Sequence, residues 1–297
     1  MKNYHISVLL EETINFLNVK PGKKYIDATI GGGGHTEGIL ERGGKVLGLD
    51  VDQESLEWIG ERFKVQSSKF KVGEDLHLAR GNFKDIGMIA REEGFGTVAG
   101  IIFDLGVSSH QLDTAERGFS FAKNGPLDMR MDQKLQIKAS DLINILTKGE
   151  LYELFTKLGE ERFARSIANC IVRARRVSPI KTTAELSAIV SEAVPIKDGK
   201  INPATRVFQA LRIAVNDELN SLRETLPEAV SLLEPGGRMC VISFHSLEDR
   251  IVKNAFKSFE EQELGRVITK KPVLPGASEV EANKRSRSAK LRVFEKN

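Results

Sequence analysis

The sequence predicts an α/β chain: a doubly wound, mainly parallel sheet with a helical domain inserted into it. Two observations carry this reading. Five short apolar runs, at 25–30, 45–49, 75–79, 98–103 and 238–244, are each bounded by turn residues or charge, and the first four are separated by helical patterns at 36–41, 54–63 and 86–93. Such alternation implies parallel strands joined by right-handed crossovers. The stretch between the fourth and fifth runs, residues 104–237, is far too long for one crossover, which needs a loop and a single helix.

The end of that stretch supplies the crossover: Val207, Leu211, Ala214, Val215, Leu219 and Leu222 recur at helical spacing, as one helix. The remainder also reads as helical. Leu142, Ile145 and Leu146 form one apolar face, Leu151, Leu154, Phe155 and Leu158 a second, and Phe163, Ile167, Ala168, Ile171 and Val172 a third. The expected domains are therefore 1–113 with 201–297, holding the sheet, and an inserted helical domain at 114–200. After the fifth strand a helix at 247–259 is expected, then segments 266–273 and 290–294 pairing as edge strands.

With 297 residues, 40% of them hydrophobic, the chain has ample material for a buried core. Its longest run without a charged residue is the ten residues from Gly94 to Phe103, where a membrane span needs roughly 20 apolar ones. Cys170 and Cys240 have no CxxC partner, which implies free thiols in a reducing compartment. A cytoplasmic location without membrane attachment is expected. The net charge of +3 conceals two basic segments: 161–181 has six cations against Glu161, and 265–297 has nine against three acids. Both are candidate polyanion-binding faces, and both are compatible with simple solvated surfaces.

The first strand runs into Gly31-Gly-Gly-Gly-His-Thr and then a helix. Glycines there let the backbone approach a ligand, and the helix start offers N–H groups to it. The third glycine of a dinucleotide fingerprint would fall at Thr36 or Glu37, and neither is glycine; a Walker lysine is absent too. The second strand ends at Asp50, placed to accept hydrogen bonds from the ribose hydroxyls of an adenosine. Asp27 before the loop, Gly81-Asn-Phe83 after the third strand, and Leu233-Glu-Pro-Gly-Gly-Arg238 opening the fifth resemble the class I S-adenosylmethionine (SAM) methyltransferases, a Rossmann-like fold.

The fourth strand ends in Asp104-Leu-Gly-Val-Ser-Ser109-His-Gln111. Carboxyl ends of central strands border the ligand crevice in open α/β sheets, so Asp104, with Ser108 or Ser109, is expected nearest the reacting atoms. Ser243-Phe-His245-Ser246 leaves the fifth strand at the same edge; His245 is a candidate at the substrate pocket and equally a candidate structural residue. Histidines 5, 35, 77, 110 and 245 show no ligand spacing with cysteine, so no metal centre is expected. Gly106-Val-Ser108 lacks the second glycine of a nucleophile elbow.

The chain closely resembles the bacterial 16S ribosomal RNA cytosine-N4 methyltransferase family, known as RsmH or MraW. The blocks that carry the resemblance begin at His5-Ile-Ser-Val-Leu-Leu-Glu-Glu12 and Asp27-Ala-Thr-Ile-Gly-Gly-Gly-Gly-His35. They continue through Asp104-Leu-Gly-Val-Ser-Ser109, Glu116-Arg-Gly-Phe-Ser-Phe121, Pro126-Leu-Asp-Met-Arg-Met-Asp132 and Asn202-Pro-Ala-Thr-Arg-Val-Phe-Gln-Ala-Leu-Arg212. The last two are Ser243-Phe-His-Ser-Leu-Glu-Asp-Arg250 and Ser286-Arg-Ser-Ala-Lys-Leu-Arg292. The resemblance implies methylation of the N4 amine of a cytidine in the decoding region of 16S ribosomal RNA or the small ribosomal subunit. It implies SAM as cofactor, held by Gly33, Gly34, His35, Asp50, Phe83, Asp104 and Gln111. The inserted helices would help hold the RNA, through Arg162, Arg165, Arg173, Arg175 and Arg176, with Lys284, Arg285, Arg287, Lys290 and Arg292 near the end; Phe119 and Phe121 are candidates for a splayed base and for core. Two other classes compete: a nicotinamide-dinucleotide enzyme, disfavoured by the missing glycine, and a non-catalytic RNA-binding module. The sequence is compatible with a monomer and with a homodimer.

Overall fold

A computed structural model describes residues 7–65, 70–194 and 202–297. His5 and Ile6 of the first motif, and the expected domain boundary at 200/201, lie outside the described residues. The strands are β1 (Lys24–Asp27), β2 (Lys45–Asp50), β3 (Leu76–Arg80), β4 (Val98–Asp104), β5 (Leu233–Ser243), β6 (Gly265–Val267) and β7 (Lys290–Lys296). They form one sheet in the order β3-β2-β1-β4-β5-β7-β6, parallel except for β7, which runs antiparallel to both its neighbours. This is the doubly wound class I methyltransferase sheet expected from the sequence.

The helices around the sheet are α1 (Leu10–Leu17), α2 (Gly34–Leu40), α3 (Gln53–Val65) and α4 (Ile86–Glu92). The chain after β4 supplies α5 (Ser109–Asp113), α6 (Ala139–Ile145), α7 (Lys148–Gly159), α8 (Ala164–Arg175), α9 (Thr183–Ala193) and α10 (Ala204–Asn216). It returns through α11 (Glu218–Leu232), α12 (Ser246–Glu261) and α13 (Ala277–Ala282).

Period-two alternation in the strands divides the core. Ile26, Leu47, Ile101, Phe103, Met239 and Val241 pack with Ile86 of α4, Leu226 of α11 and Phe256 of α12. Their neighbours Tyr25, Val46, Ile102, Cys240 and Ile242 pack with Ile14 and Leu17 of α1, Ile39 of α2 and Ile59 and Phe63 of α3. Side chains alternate across a strand, so each run of β-branched and large apolar residues feeds two cores at once. Asp27, Asp50 and Asp104 fall in the same parity as the second set, at the carboxyl ends of β1, β2 and β4. Between β1 and β4 the strand order reverses, and there the loops part.

Two compact units result. One comprises the residues up to Ser108 with Leu219–Asn297; the other is Ser109–Glu218. The first boundary lies five residues earlier than the one read from the sequence, ahead of α5, and the second lies beyond the 200 read from the sequence because the run 207–222 is two helices. Asp217 breaks it with φ 49° and ψ 39°, in the left-handed region. The first half, α10, belongs with the inserted unit: buried Gly159 of α7 admits the backbone of Arg206, whose carbonyl oxygen lies 2.7 Å from where a Cβ would stand. Gln209 donates to the Leu158 carbonyl at 3.1 Å and Arg206 to the Glu160 carbonyl at 2.8 Å.

Three local expectations are corrected. In α6 the buried residues are Ala139 and Ile143, four apart on one face, while Ile145 is 74% exposed, because two positions after Ile143 it lies on the opposite side of the helix. The fifth strand starts at Leu233 opposite Val98, then shifts register to pair Arg238 with Gly100, so Pro235 and Gly236 bulge out. β7 is an interior strand, between β5 and β6; of the two segments expected at the edge, the three-residue β6 is the one that stands there, opposite β3 at the far side of the sheet.

In the inserted unit the segment joining α5 to α6 turns at Met129, fully buried with φ 64°. Asn216 holds that turn: its Oδ1 accepts from Met131 N at 2.7 Å and its Nδ2 donates to the carbonyl of Met129 at 2.8 Å. A left-handed, non-glycine residue persists only where its surroundings over-determine it. Replacing Asn216 with Ala removes both bonds and is expected to destabilise the protein by about 2 kcal/mol. Urea unfolding checks this: the midpoint falls at unchanged slope, and an unchanged midpoint contradicts the account.

Candidate active site

The glycine loop is built from beneath. Asp27, 1% exposed, accepts from Thr29 N at 3.4 Å and from the Thr36 hydroxyl at 2.7 Å, so it ties the exit of β1 to the first turn of α2. Burial pushes its carboxyl above the ordinary aspartate range, with His35 and the Thr36 hydroxyl opposing. Gly31 and Gly33 have φ of 48° and 72°, and Gly33 is the N-cap of α2. A Cβ on Gly33 would stand 2.5 Å from Ile59 Cδ1, and one on Gly34 2.3 Å from Ser7 Oγ. Gly31 is favoured by its backbone conformation, Gly34 by close packing and Gly33 by both.

Asp50 closes β2 beside the loop. Its Oδ2 accepts from Gly31 N at 3.2 Å and its Oδ1 from Asp52 N at 2.9 Å. A carboxylate has about four acceptor positions, so lone pairs remain on both oxygens for two ribose hydroxyls. Burial pushes its carboxyl up to about 7, reinforced by the nearby Asp52 charge and opposed by the two backbone N–H groups. Gly81 N donates to the Asp50 carbonyl at 3.0 Å, which places the Gly81-Asn-Phe83 turn against the end of β2. The Phe83 ring stands edge-on to Phe103, centroids 5.9 Å apart, and is half-buried. The donor set therefore fits an adenosine: a carboxylate for the ribose, an aromatic ring for the base, and backbone N–H groups at the start of α2.

Asp104 ends β4, and its N–H donates to the Thr29 hydroxyl at 2.6 Å. His35 is 4% exposed and faces the protein: its Nε2 lies 3.2 Å from the Val8 carbonyl and its Nδ1 3.7 Å from Asp104 Oδ2. A carbonyl only accepts, so Nε2 carries the hydrogen. With its imidazole committed inward, His35 offers a ligand its backbone, at the first turn of α2.

The remaining candidates are distributed over both units. Ser108, half-buried, closes the first; Ser109 opens α5 in the second, and Gln111 on that helix is 5% exposed. His245 is the N-cap of α12, accepting at Nδ1 from Glu248 N at 3.4 Å while Glu248 accepts from Phe244 N at 2.8 Å. Among the basic residues, Arg175 donates to the carbonyls of Ile143 and Leu146, at 2.5 and 2.6 Å, and so fastens α8 to α6. Lys290 and Arg292 bind Asp249 at 3.3 and 2.6 Å. Arg162, Arg165, Arg173, Arg176, Lys284, Arg285 and Arg287 are exposed. Phe119 is 6% exposed and belongs to the core; Phe121 is half-buried against Phe208.

A model of the MraW methylase family matches residues 2–297. The chain belongs to the MraW methylase family. It is 46% identical over 314 residues to the ribosomal RNA small subunit methyltransferase H of Halothermothrix orenii, covering 98% of each chain. To the proteins of the same description from Desulfotalea psychrophila and Carboxydothermus hydrogenoformans it is 48% and 45% identical, covering 98% and 100% of this chain and 98% and 99% of those. Sequence reasoning assigned no role to several residues of this methylase that pack against or hydrogen-bond the loop and its flanks: Ser7, Val8, Thr29, Thr36 and Arg62. Ser7, Val8, Thr29 and Thr36 lie within the sequence motifs without a role of their own, and the signal at Arg62 was a cation on the same helical face as buried Ile59.

The raised Asp50 carboxyl fixes a pH dependence. Its protonated form is favoured in the folded chain, so its contribution to stability is present below the ordinary carboxylate range and is lost as pH rises to about 7. Ribose hydroxyls donating to it favour the ionised form. Affinity for S-adenosylhomocysteine is therefore expected to be level above pH 8 and to fall by up to about tenfold per unit below pH 7, with about one proton released on binding. Calorimetry in buffers of different ionisation enthalpy measures that proton; an Asp50→Asn variant loses the dependence. A pH-independent affinity in the unsubstituted protein contradicts this assignment.

Proposed function

We propose that this methylase transfers a methyl group from SAM to the exocyclic N4 amine of a cytidine in the decoding region of bacterial 16S ribosomal RNA. It acts in the cytoplasm, on 16S ribosomal RNA or the small ribosomal subunit. The observation that carries the reading is the arrangement of Asp50 and Asp104 on the same sheet edge, on either side of a glycine loop, in a chain of the MraW family. The methyl donor is S-adenosylmethionine, which supplies an electrophilic methyl group on sulfur.

The amine is a poor nucleophile because its lone pair is conjugated with the ring. An acceptor for one of its hydrogens localises that pair, and the acceptor must sit where charge develops. Asp104 takes this part, with Ser108 or Ser109 orienting the amine. As the N–C bond forms and the C–S bond breaks, the amine proton passes to Asp104. Gln111 and the backbone of Gly33, Gly34 and His35 hold the cofactor; His245 positions the start of α12 at the end of β5 and borders the base. Phosphates are met by the exposed arginines of α8 and its flanks and by the exposed cations at 284–287.

Incubation with methyl-labelled SAM and small subunits lacking base methylation, followed by nucleoside analysis, tests the reading. Label in N4-methylcytidine is expected. Label in another nucleoside, or none with S-adenosylhomocysteine binding intact, overturns the substrate assignment. Asp104→Asn is expected to lower kcat by about 10²- to 10⁴-fold, with S-adenosylhomocysteine affinity kept within about tenfold; a near-native rate contradicts its role. Replacing Lys284, Arg285 and Arg287 with Ala is expected to reduce the salt slope of RNA binding by about 2. An unchanged slope makes that segment a solvated face.

A further inference from the structure

We propose that Arg62 is a positioning residue for the cofactor loop, holding the Gly32–Gly33 peptide in the orientation that the ligand requires. The inference rests on the cofactor reading above and adds to it a residue thirty positions away in the chain. Four consecutive glycines give this loop more backbone freedom than any other segment, and a glycine peptide rotates with little steric cost. Something outside the loop must therefore select one orientation.

Arg62 reaches the loop from α3, its Nη1 donating to the Gly32 carbonyl at 2.6 Å. On the other end of the same peptide, Gly33 N donates to the Ile30 carbonyl at 2.7 Å. A trans peptide points its C=O and N–H in opposite directions, so bonds at both ends clamp the plane. With that plane held, the flanking peptides are limited to those that let Gly31 N meet Asp50 Oδ2 and let α2 begin at Gly34. Arg62 thus acts on the N–H groups that face the ligand without itself being a ligand contact.

The guanidinium is fixed from three sides. Its Nη2 donates to Glu37 of α2, and its carbon lies 5.5 Å from the ring centroids of both Trp58 and Phe63. The planar fork serves a carbonyl and a carboxylate simultaneously, which the point charge of a lysine does less well. Ile59 and Phe63, one turn apart on that helix, occupy the space a Cβ on Gly33 would need. One face of α3 is therefore the bed on which the loop lies, and Arg62 is its hydrogen-bonding element. Holding the loop in its bound conformation before the ligand arrives removes an ordering cost from binding.

The test uses Trp58, the single tryptophan of the chain, as reporter. Titration of the intact protein with S-adenosylhomocysteine is followed by Trp58 fluorescence and by calorimetry. Arg62→Ala is expected to weaken binding about tenfold, Arg62→Lys less, and Glu37→Gln, which spares the Gly32 contact, by about two- to threefold. In methyl transfer Arg62→Ala is expected to raise the KM for SAM by a similar factor, with kcat at saturating SAM within twofold. A general loss of structure would lower kcat as well. S-adenosylhomocysteine affinity within twofold of the unsubstituted protein in both Arg62 variants overturns the inference alone. Unsubstituted protein that binds no S-adenosylhomocysteine overturns the cofactor reading and this inference with it.

Discussion

The carboxyl group of Asp27 is sealed beneath the glycine loop, and both its oxygens are engaged by the loop's two flanks, at Thr29 and Thr36. Thr29 then passes the constraint on, because its hydroxyl accepts from Asp104 N. The exit of β1, the start of α2 and the end of β4 are thereby fixed to one buried acid. Burying a carboxyl is costly unless its hydrogen bonds are satisfied. Here Thr29 N and the Thr36 hydroxyl satisfy them, one on each oxygen. The glycines can be flexible in sequence and ordered in the fold because this acid and its partners supply the order they lack.

Around that anchor each acid has a different task set by its surroundings. Asp27 is used up inside the protein. Asp50, its carboxyl pushed up to about 7 by burial, retains acceptor capacity on both oxygens beside the N–H groups of Gly31 and Asp52. Asp104 stands at the end of the central strand, beside an imidazole whose other nitrogen is held by the Val8 carbonyl. The three residues have one sheet parity and three chemistries, which the strand period alone does not distinguish.

The sheet was legible because its strands are short, apolar and bounded by turns, and the glycine loop and Asp50 because those residue types recur where nucleotides bind. Other features left no local mark. The break between α10 and α11 falls at Asp217, where neither glycine nor proline announces it, inside an apolar pattern that continues across both helices. Met129 takes a left-handed backbone that a glycine would have advertised, and it is held there by Asn216, distant in sequence. Arg175, Lys290 and Arg292 look like solvent-facing cations by charge, yet carbonyls and Asp249 bind them. His245 was ambiguous in sequence and is a helix cap in the structure, accepting from the backbone of Glu248. Such long-range partners are chosen by the fold, so a sequence pattern read one segment at a time does not contain them.

A crystal structure of the protein with S-adenosylhomocysteine tests the central claim most directly. The account predicts both ribose hydroxyls on the Asp50 carboxylate and the sulfur directed toward Asp104. The Gly32 carbonyl should still face Arg62. An adenosine seated away from Asp50, or a Gly32–Gly33 peptide turned to present its carbonyl to the ligand, would contradict it.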